Sequence, residues 1–188
     1  MTSARYIALL RGINVGRAKR VAMADLRKLL GEMGYGDVRS LLNSGNLVFS
    51  ADCIEALRAA AAIEEQLVLK LGVAARVIVL GRDELATVLA ENTLLPIAGD
   101  HARLLVFMLP DEDARAAVAP LCEREWGEEA LALGRRAAYA WCPEGMLDSA
   151  AATALGKQLG DNTTSRNWNT LCKLYALCSE PAPVPPGV

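Results

Sequence analysis

Basic side chains are concentrated in one short segment of an otherwise slightly acidic chain. Residues 11–20, Arg-Gly-Ile-Asn-Val-Gly-Arg-Ala-Lys-Arg, hold four cations, although the 188-residue chain has a formal net charge of −2. Arginine binds phosphate and carboxylate oxygens through two parallel hydrogen bonds, and lysine adds a point charge. The segment therefore indicates an anion-binding loop. Its glycine spacing is neither that of a P-loop nor that of a dinucleotide-binding loop.

A second polar cluster is Asn43-Ser44-Gly45-Asn46, which separates two predicted strands at 38–42 and 47–49. Asparagine and glycine tolerate positive φ, so this unit predicts a hairpin turn. A right-handed crossover makes the first two strands parallel and puts the third between them, so the turn and the 11–20 loop share one edge of the sheet. The alternative is that the polar residues at 43–46 serve only to form the turn, and that the cations at 11–20 only face solvent.

A third polar set belongs to the last predicted helix, 165–178. Arg166, Asn169 and Lys173 are spaced at i, i+3 and i+7, which places them on one stripe near a helix N-terminus that attracts anions. Trp168 falls in the other periodic set and is expected in the core. The alternative is an ordinary solvent-facing helix surface.

Together these clusters predict one site for a small phosphorylated or carboxylated ligand. The predicted ligand-binding residues are Arg11, Asn14, Gly16, Arg17, Asn43, Ser44, Asn46, Arg166, Asn169 and Lys173. The catalytic residues and the cofactor stay unknown. A serine nucleophile is disfavoured, because no serine lies in a nucleophile-elbow motif. His101 is the single histidine, so the sequence also predicts no metal site, and a histidine triad only if this one residue serves it.

The elements that must position these residues follow from the apolar periodicity. The order is β-α-β-β-α-β up to about residue 80, then a linking helix at 83–91, and then a second β-α-β-β-α order. The predicted strands are 6–10, 38–42, 47–49, 76–80, 103–109, 130–133 and 138–141. Apolar residues at 23, 26, 30 and 33 predict the first helix, and the next begins near Asp52 and ends at about residue 72. The later predicted helices are 111–118, 147–159 and 165–178.

This order predicts an α+β fold of two ferredoxin-like (split βαβ) subdomains with mostly antiparallel sheets. We predict a first subdomain with its linking helix at 1–91 and a second, related one at 92–179. Residues 180–188 hold four of the eight prolines and are predicted to be a disordered tail.

Composition narrows the class of protein further. With 53% apolar and 22% charged residues, the chain is expected to fold on its own. Five cysteines without CxxC spacing predict reduced thiols. Neither an export signal nor an apolar run long enough for a membrane span is evident, so we predict a cytoplasmic protein without membrane contact. The sequence leaves the oligomeric state open.

Several of these strings, in this order, resemble the uncharacterised bacterial family known as domain of unknown function 1697. The similar strings are residues 6–16 (YIALLRGINVG), 23–27 (MADLR), 42–49 (LNSGNLVF) and 166–170 (RNWNT). The resemblance implies two ferredoxin-like subdomains and no established activity. The chain departs from the family pattern at Arg17, where a second glycine is usual, and at Ala22, where a proline is usual.

Two other functions stay open beside anion binding. Ferredoxin-like sheets in RNA-recognition domains bind single strands through exposed aromatic residues, although aromatic residues make up only 5% of this chain and the chain is not basic. Apolar sheet surface could instead pair subunits, which would make the chain a protein-interaction module.

Overall fold

The computed structural model describes residues 3–14 and 20–180, which fall into two units by their internal contacts. Unit 1 comprises the described residues of Met1–Asp83 and Leu174–Val188, and unit 2 is Glu84–Lys173. Compared with the predicted ranges 1–91 and 92–179, this division moves most of the linking helix into unit 2 and the end of the last helix into unit 1. Of the predicted tail, only Glu180 is among the described residues.

Unit 1 contains one four-stranded antiparallel sheet with the strand order β2-β3-β1-β4. A π-helical turn, Leu67–Leu71, continues its second helix. The elements are β1 (Ala4–Arg11), α1 (Met23–Glu32), β2 (Gly36–Leu41), β3 (Asn46–Ala51), α2 (Ala56–Gln66) and β4 (Arg76–Gly81). Sequence and strand order together are those of the split βαβ unit that the periodicity predicted.

The core of unit 1 forms where the helices cover one face of this sheet. Alternate residues of β1, Tyr6, Ala8 and Leu10, pack in the same apolar cluster as Leu26 of α1 and Ile63 of α2. The residues between them are fully buried as well, so that β1 is an uninterrupted apolar run and not an alternating one. The pairing of β1 with β3 on one side and with β4 on the other sets the position of its last residue, Arg11.

Unit 2 repeats this topology with its own four-stranded antiparallel sheet, in the order β6-β7-β5-β8. Its elements are α3 (Arg82–Ala90), β5 (Leu104–Met108), α4 (Glu112–Cys122), β6 (Ala130–Leu133), β7 (Ala137–Trp141), α5 (Ala150–Leu159), β8 (Ser165–Asn167) and α6 (Trp168–Ser179). The boundaries of unit 2 fall inside its first and last helices, α3 and α6. The described residues thus form two four-stranded antiparallel sheets and six α-helices, and the predicted fold class is confirmed.

The predicted helix at 165–178 is wrong at its beginning, because residues 165–167 form strand β8. Arg166 pairs with Val106 of β5, which would otherwise present unpaired peptide groups in a buried strand. The helix α6 starts only at Trp168. Arg166 therefore lies on a strand and does not share a helical stripe with Asn169 and Lys173.

Asn167 ends this strand and caps α6. Its side-chain Oδ1 accepts hydrogen bonds from the Thr170 backbone N at 2.9 Å and from the Thr170 Oγ1 at 2.7 Å. Asn167→Ala should lower the free energy of unfolding by about 1 kcal/mol, as the loss of an N-cap usually does. Asn167→Asp keeps the acceptor and should retain most of the stability, and Asn169→Ala, at an exposed position, is the matched control. Equal effects of the two alanine variants in urea denaturation would contradict the capping role.

Candidate functional site

The loop after β1 and the hairpin turn between β2 and β3 meet at one edge of the sheet of unit 1. Leu9 of β1 pairs with Asn46, the first residue of β3, and the Leu10 backbone N donates to the Gly45 O at 2.8 Å. The last residue of β1, Arg11, therefore lies beside the turn. We call the described polar residues here, Arg11, Arg20, Asn43 and Ser44, the candidate edge.

Asn14 fastens the loop to the turn. Its Nδ2 donates to the Asn43 O at 2.8 Å and to the Val21 O at 2.9 Å, and its Oδ1 accepts from the Val21 N at 2.7 Å. Its φ of +56° lies in the left-handed region, which asparagine tolerates better than most residues. Since both polar atoms of the amide have partners in the protein, Asn14 positions the loop.

Asn46 has a similar positioning role inside the hairpin. It is fully buried, and its Nδ2 donates to the Leu41 O at 3.0 Å and to the Ser44 Oγ at 2.9 Å. These bonds close the turn and hold the Ser44 side chain. The sequence identified Asn46 from its residue type, and the structure places its amide within the turn itself.

The side chains that remain exposed or half-buried at the candidate edge are cationic or small and polar. Arg11 is half-buried, and Arg20, Asn43 and Ser44 are exposed. Asn14 holds the backbone of Val21. Arg20 precedes Val21 in the chain, so the Cα of Arg20 is fixed near the turn. Two predicted site residues, Gly16 and Arg17, lie outside the described residues.

The remaining predicted residues belong to unit 2. Arg166 is half-buried on β8, where its Nη1 donates to the Thr164 Oγ1 at 2.7 Å and to the Ser165 O at 2.8 Å. Burial lowers the pKa of Arg166 to about 10, because desolvation disfavours the charged guanidinium. An anion bound beside the guanidinium would raise this pKa again, because it stabilises the charged form. Asn169 and Lys173 are exposed on α6.

Glu129 is a carboxylate whose role the sequence did not reveal. Its oxygens accept from the backbone N of Ala150 at 3.2 Å and of Ala151 at 2.8 Å, and from the Ser149 Oγ at 2.9 Å. Ser149 in turn caps α5, which begins at Ala150 and not at residue 147 as predicted. The anion-attracting N-terminus of α5 is thus occupied by a side chain of the same unit, twenty residues upstream.

A groove of about 430 Å³ lies between α1 and α2. Apolar side chains and charged side chains of both signs line it. The lining residues are Leu29, Glu32, Met33, Ala62, Glu65, Gln66 and Lys70. Ala62, the last of four alanines at 59–62, contributes only a methyl group to this lining. Among the described residues, no predicted site residue lines the groove.

Metal-binding and membrane-spanning features are absent from the described part of the chain. Within residues 3–14 and 20–180, no three histidine, cysteine or carboxylate side chains gather closely enough to hold a metal ion. In the same residues no helix has the length and apolar character needed to span a bilayer. His101 is exposed, and its ring lies edge-on to that of Trp168 with the centroids 6.5 Å apart.

Comparisons with known proteins agree with the fold and assign no activity. A family described as protein of unknown function (DUF1697) matches residues 3–139. A solved structure of a conserved bacterial protein from Streptococcus pneumoniae is 25% identical, with a TM-score of 0.77, and the similarity covers 95% of this chain and 100% of the other. A comparison with curated proteins found no match. Neither description names a ligand or a reaction.

Proposed function

This chain belongs to the DUF1697 family, and from that premise we propose that it binds a small phosphorylated or carboxylated molecule at the candidate edge of unit 1. The observation that carries the proposal is the hydrogen bond from the Asn14 Nδ2 to the Asn43 O, at 2.8 Å. This bond joins a cationic loop to a polar turn from a distant part of the sequence. Polar side chains of both segments can therefore contact one small molecule.

The chemistry of the edge favours an anion over a cation or an apolar ligand. Arg11 offers a planar fork of donors that matches two oxygens of a carboxylate or phosphate. Asn43 and Ser44 add short polar side chains that can orient the rest of the ligand. Because Asn14 and Asn46 already hold the backbone of both segments, these groups are preorganised, which lowers the entropic cost of binding.

The test is a thermal-shift screen of inorganic phosphate, phosphorylated metabolites, nucleotides and small carboxylates. A ligand that binds the native state raises the melting temperature, and the rise grows with the logarithm of the ligand concentration once that concentration exceeds the dissociation constant. With the best ligand, Arg11→Gln should weaken binding about tenfold or more, since a charge-assisted hydrogen-bonded pair is lost. Isothermal titration calorimetry then gives the dissociation constants.

The matched control is Arg58→Gln, which removes one positive charge from an exposed position on α2, where Arg58 pairs with Glu55 at 2.8 Å. It should bind the ligand like the unaltered protein. Arg166→Gln is measured in parallel, because the sequence assigned Arg166 to the same ligand. If no anion raises the melting temperature, or if Arg11→Gln and Arg58→Gln bind equally well, the proposal is rejected.

The two other functions have less support from the described residues. The rings of Tyr6 and Phe49 stack on each other at 5.7 Å within the core of unit 1, so they do not form an exposed platform for bases. The apolar strand residues Ile7 and Val48 are also buried, and do not offer a free sheet surface. Oligonucleotide binding that weakens with salt would support the nucleic-acid alternative. Sedimentation that changes with protein concentration would support the protein-interaction alternative.

A further inference from the structure

The groove between α1 and α2 continues beyond the hollow of about 430 Å³. A second hollow, of about 220 Å³, shares Leu29, Glu32 and Lys70 with the first and extends to Asp25 and Lys28. Leu29 is buried at the floor, whereas the four charged residues are exposed at the rim. We call the two hollows together the interhelical groove. An apolar floor with a few polar groups around it is the usual composition of a small-molecule site.

Charge is unevenly distributed along the interhelical groove. One end, at the C-terminus of α1, carries the carboxylates of Glu32 and Glu65, and the partial negative charge of the helix end adds to them. The other end carries Lys28 and Lys70 with the carboxylate of Asp25. Lys28 and Glu32 form an ion pair at 3.8 Å, which is exposed and therefore weak. At neutral pH one end of the groove is thus acidic and the other basic.

Lys70 belongs to a local change in helix geometry. Leu67–Leu71 form a π-helical turn, in which the hydrogen bonds span five residues and not four. Turns of this kind are rare and are frequently found at functional sites. Ala62, Gln66 and Lys70 line the same side of the larger hollow, so the half-buried amide of Gln66 lies between a methyl group and the basic end.

We infer that the interhelical groove binds a short apolar peptide of about three residues by its two charged termini. The groove reaches from Asp25 to Met33 along α1, which is roughly 12 Å at the rise of an α-helix. An extended tripeptide is about 10 Å long. Its ammonium group can therefore contact Glu65 while its carboxylate contacts Lys70. Its apolar side chains then cover the floor, and the Gln66 amide can bond to one of its peptide groups.

Isothermal titration calorimetry with the tripeptide Leu-Ala-Leu at pH 7 tests this inference. The peptide is measured with free termini, with an acetylated amino terminus and with an amidated carboxyl terminus. We expect the peptide with free termini to bind, and each blocked form to bind about fivefold more weakly, because each lacks one exposed ion pair with the groove.

Two charge variants assign the termini. Lys70→Gln should weaken binding of the free peptide about fivefold and leave the affinity for the amidated form unchanged, since that form has no carboxylate. Glu65→Gln should have the same effects on the free and the acetylated peptide. The matched controls are Lys157→Gln and Glu128→Gln, at exposed positions that line neither hollow. Both controls should bind all three peptides as the unaltered protein does.

Ala62→Phe places a large ring in the larger hollow and should abolish binding of all three peptides, and its melting temperature shows that it is folded. The inference is overturned if the free peptide does not bind, if the three forms bind equally well, or if Lys70→Gln behaves like Lys157→Gln. Unchanged binding in folded Ala62→Phe overturns it as well. These outcomes leave the proposed function standing, because no residue of the candidate edge lines the interhelical groove.

Discussion

Gly45→Ala should lower the free energy of unfolding by about 3 kcal/mol or more, and Gly12→Ala by only about 1 kcal/mol. Both glycines have left-handed backbones, with φ of +75° and +77°. A Cβ at Gly45 would lie 2.7 Å from the Leu10 Cβ and 2.8 Å from the Ile13 Cδ1, whereas a Cβ at Gly12 meets nothing within 4 Å. The pair therefore separates backbone strain, common to both, from the lack of space at Gly45.

Urea denaturation of the two variants measures this difference directly. Gly45 is buried at the point where the turn contacts the loop, and its carbonyl oxygen accepts from the Leu10 N. The added methyl must therefore push the turn away from β1, and Asn43 with it. Similar losses in the two variants would mean that the contact is loose. The proposed ligand site would then lack the rigid support that it requires.

The topology of unit 1 was predictable because local pattern and tertiary packing agree there. Leu26, Leu29 and Leu30 recur at helical spacing and are all buried on α1. The four-residue polar turn at 43–46 lies between two predicted strands, and the structure closes it into a hairpin. Where each local preference supports the global fold, sequence reasoning succeeds.

The eighth strand could not be predicted for the opposite reason. Residues 165–167 are Ser-Arg-Asn, a polar string that is more typical of a helix start than of a strand. Only the unpaired edge of β5, more than fifty residues upstream, makes the extended conformation favourable. A three-residue strand set by a distant partner leaves no periodicity in the sequence.

At the candidate site, the sequence could predict which segments meet but not what each side chain contacts. The sequence could identify Asn14, Asn43 and Asn46 as polar groups at one sheet edge, because topology alone brings the two segments together. It could not distinguish the amides that bind the protein's own backbone from those that face solvent. That distinction depends on individual hydrogen bonds, such as the one from the Asn46 Nδ2 to the Leu41 O.

The second large effect is expected at Asp37, which lies between two arginines of unit 1. Its carboxylate contacts Arg5 and lies 3.0 Å from the Arg39 Nε. The side chains of Asp37 and Arg5 are only 12% and 13% exposed. Arg5 and Arg39 also bind Glu180, the first through the Glu180 backbone O at 2.9 Å and the second through the Oε2 at 2.8 Å. Asp37 is thus the most buried carboxylate of this group.

Asp37→Asn should lower the free energy of unfolding by about 3 kcal/mol near neutral pH, because two largely buried guanidinium groups lose a shared charge. Asparagine has the same size and tolerates the φ of +41° at this position, so the change isolates the charge. Glu32→Gln is the control, since Glu32 and Lys28 form an exposed ion pair at 3.8 Å. Its loss should change stability by less than about 0.5 kcal/mol.

The pH dependence of the stability difference between the unaltered protein and Asp37→Asn shows whether the charge of Asp37 causes that difference. Burial alone would raise the pKa of Asp37, but the hydrogen bonds and charges of Arg39 and Arg5 outweigh this and hold the pKa below its usual range. A depressed carboxyl pKa stabilises the native state fully above the unfolded value of about 3.9, and this contribution is lost as pH falls through the lower folded value. The gap between the unaltered protein and Asp37→Asn should therefore be constant from pH 7 to about pH 5 and narrow below about pH 4. A gap that keeps its full size at pH 3 would attribute the loss to packing and not to the charge that Asp37 shares with its two arginines.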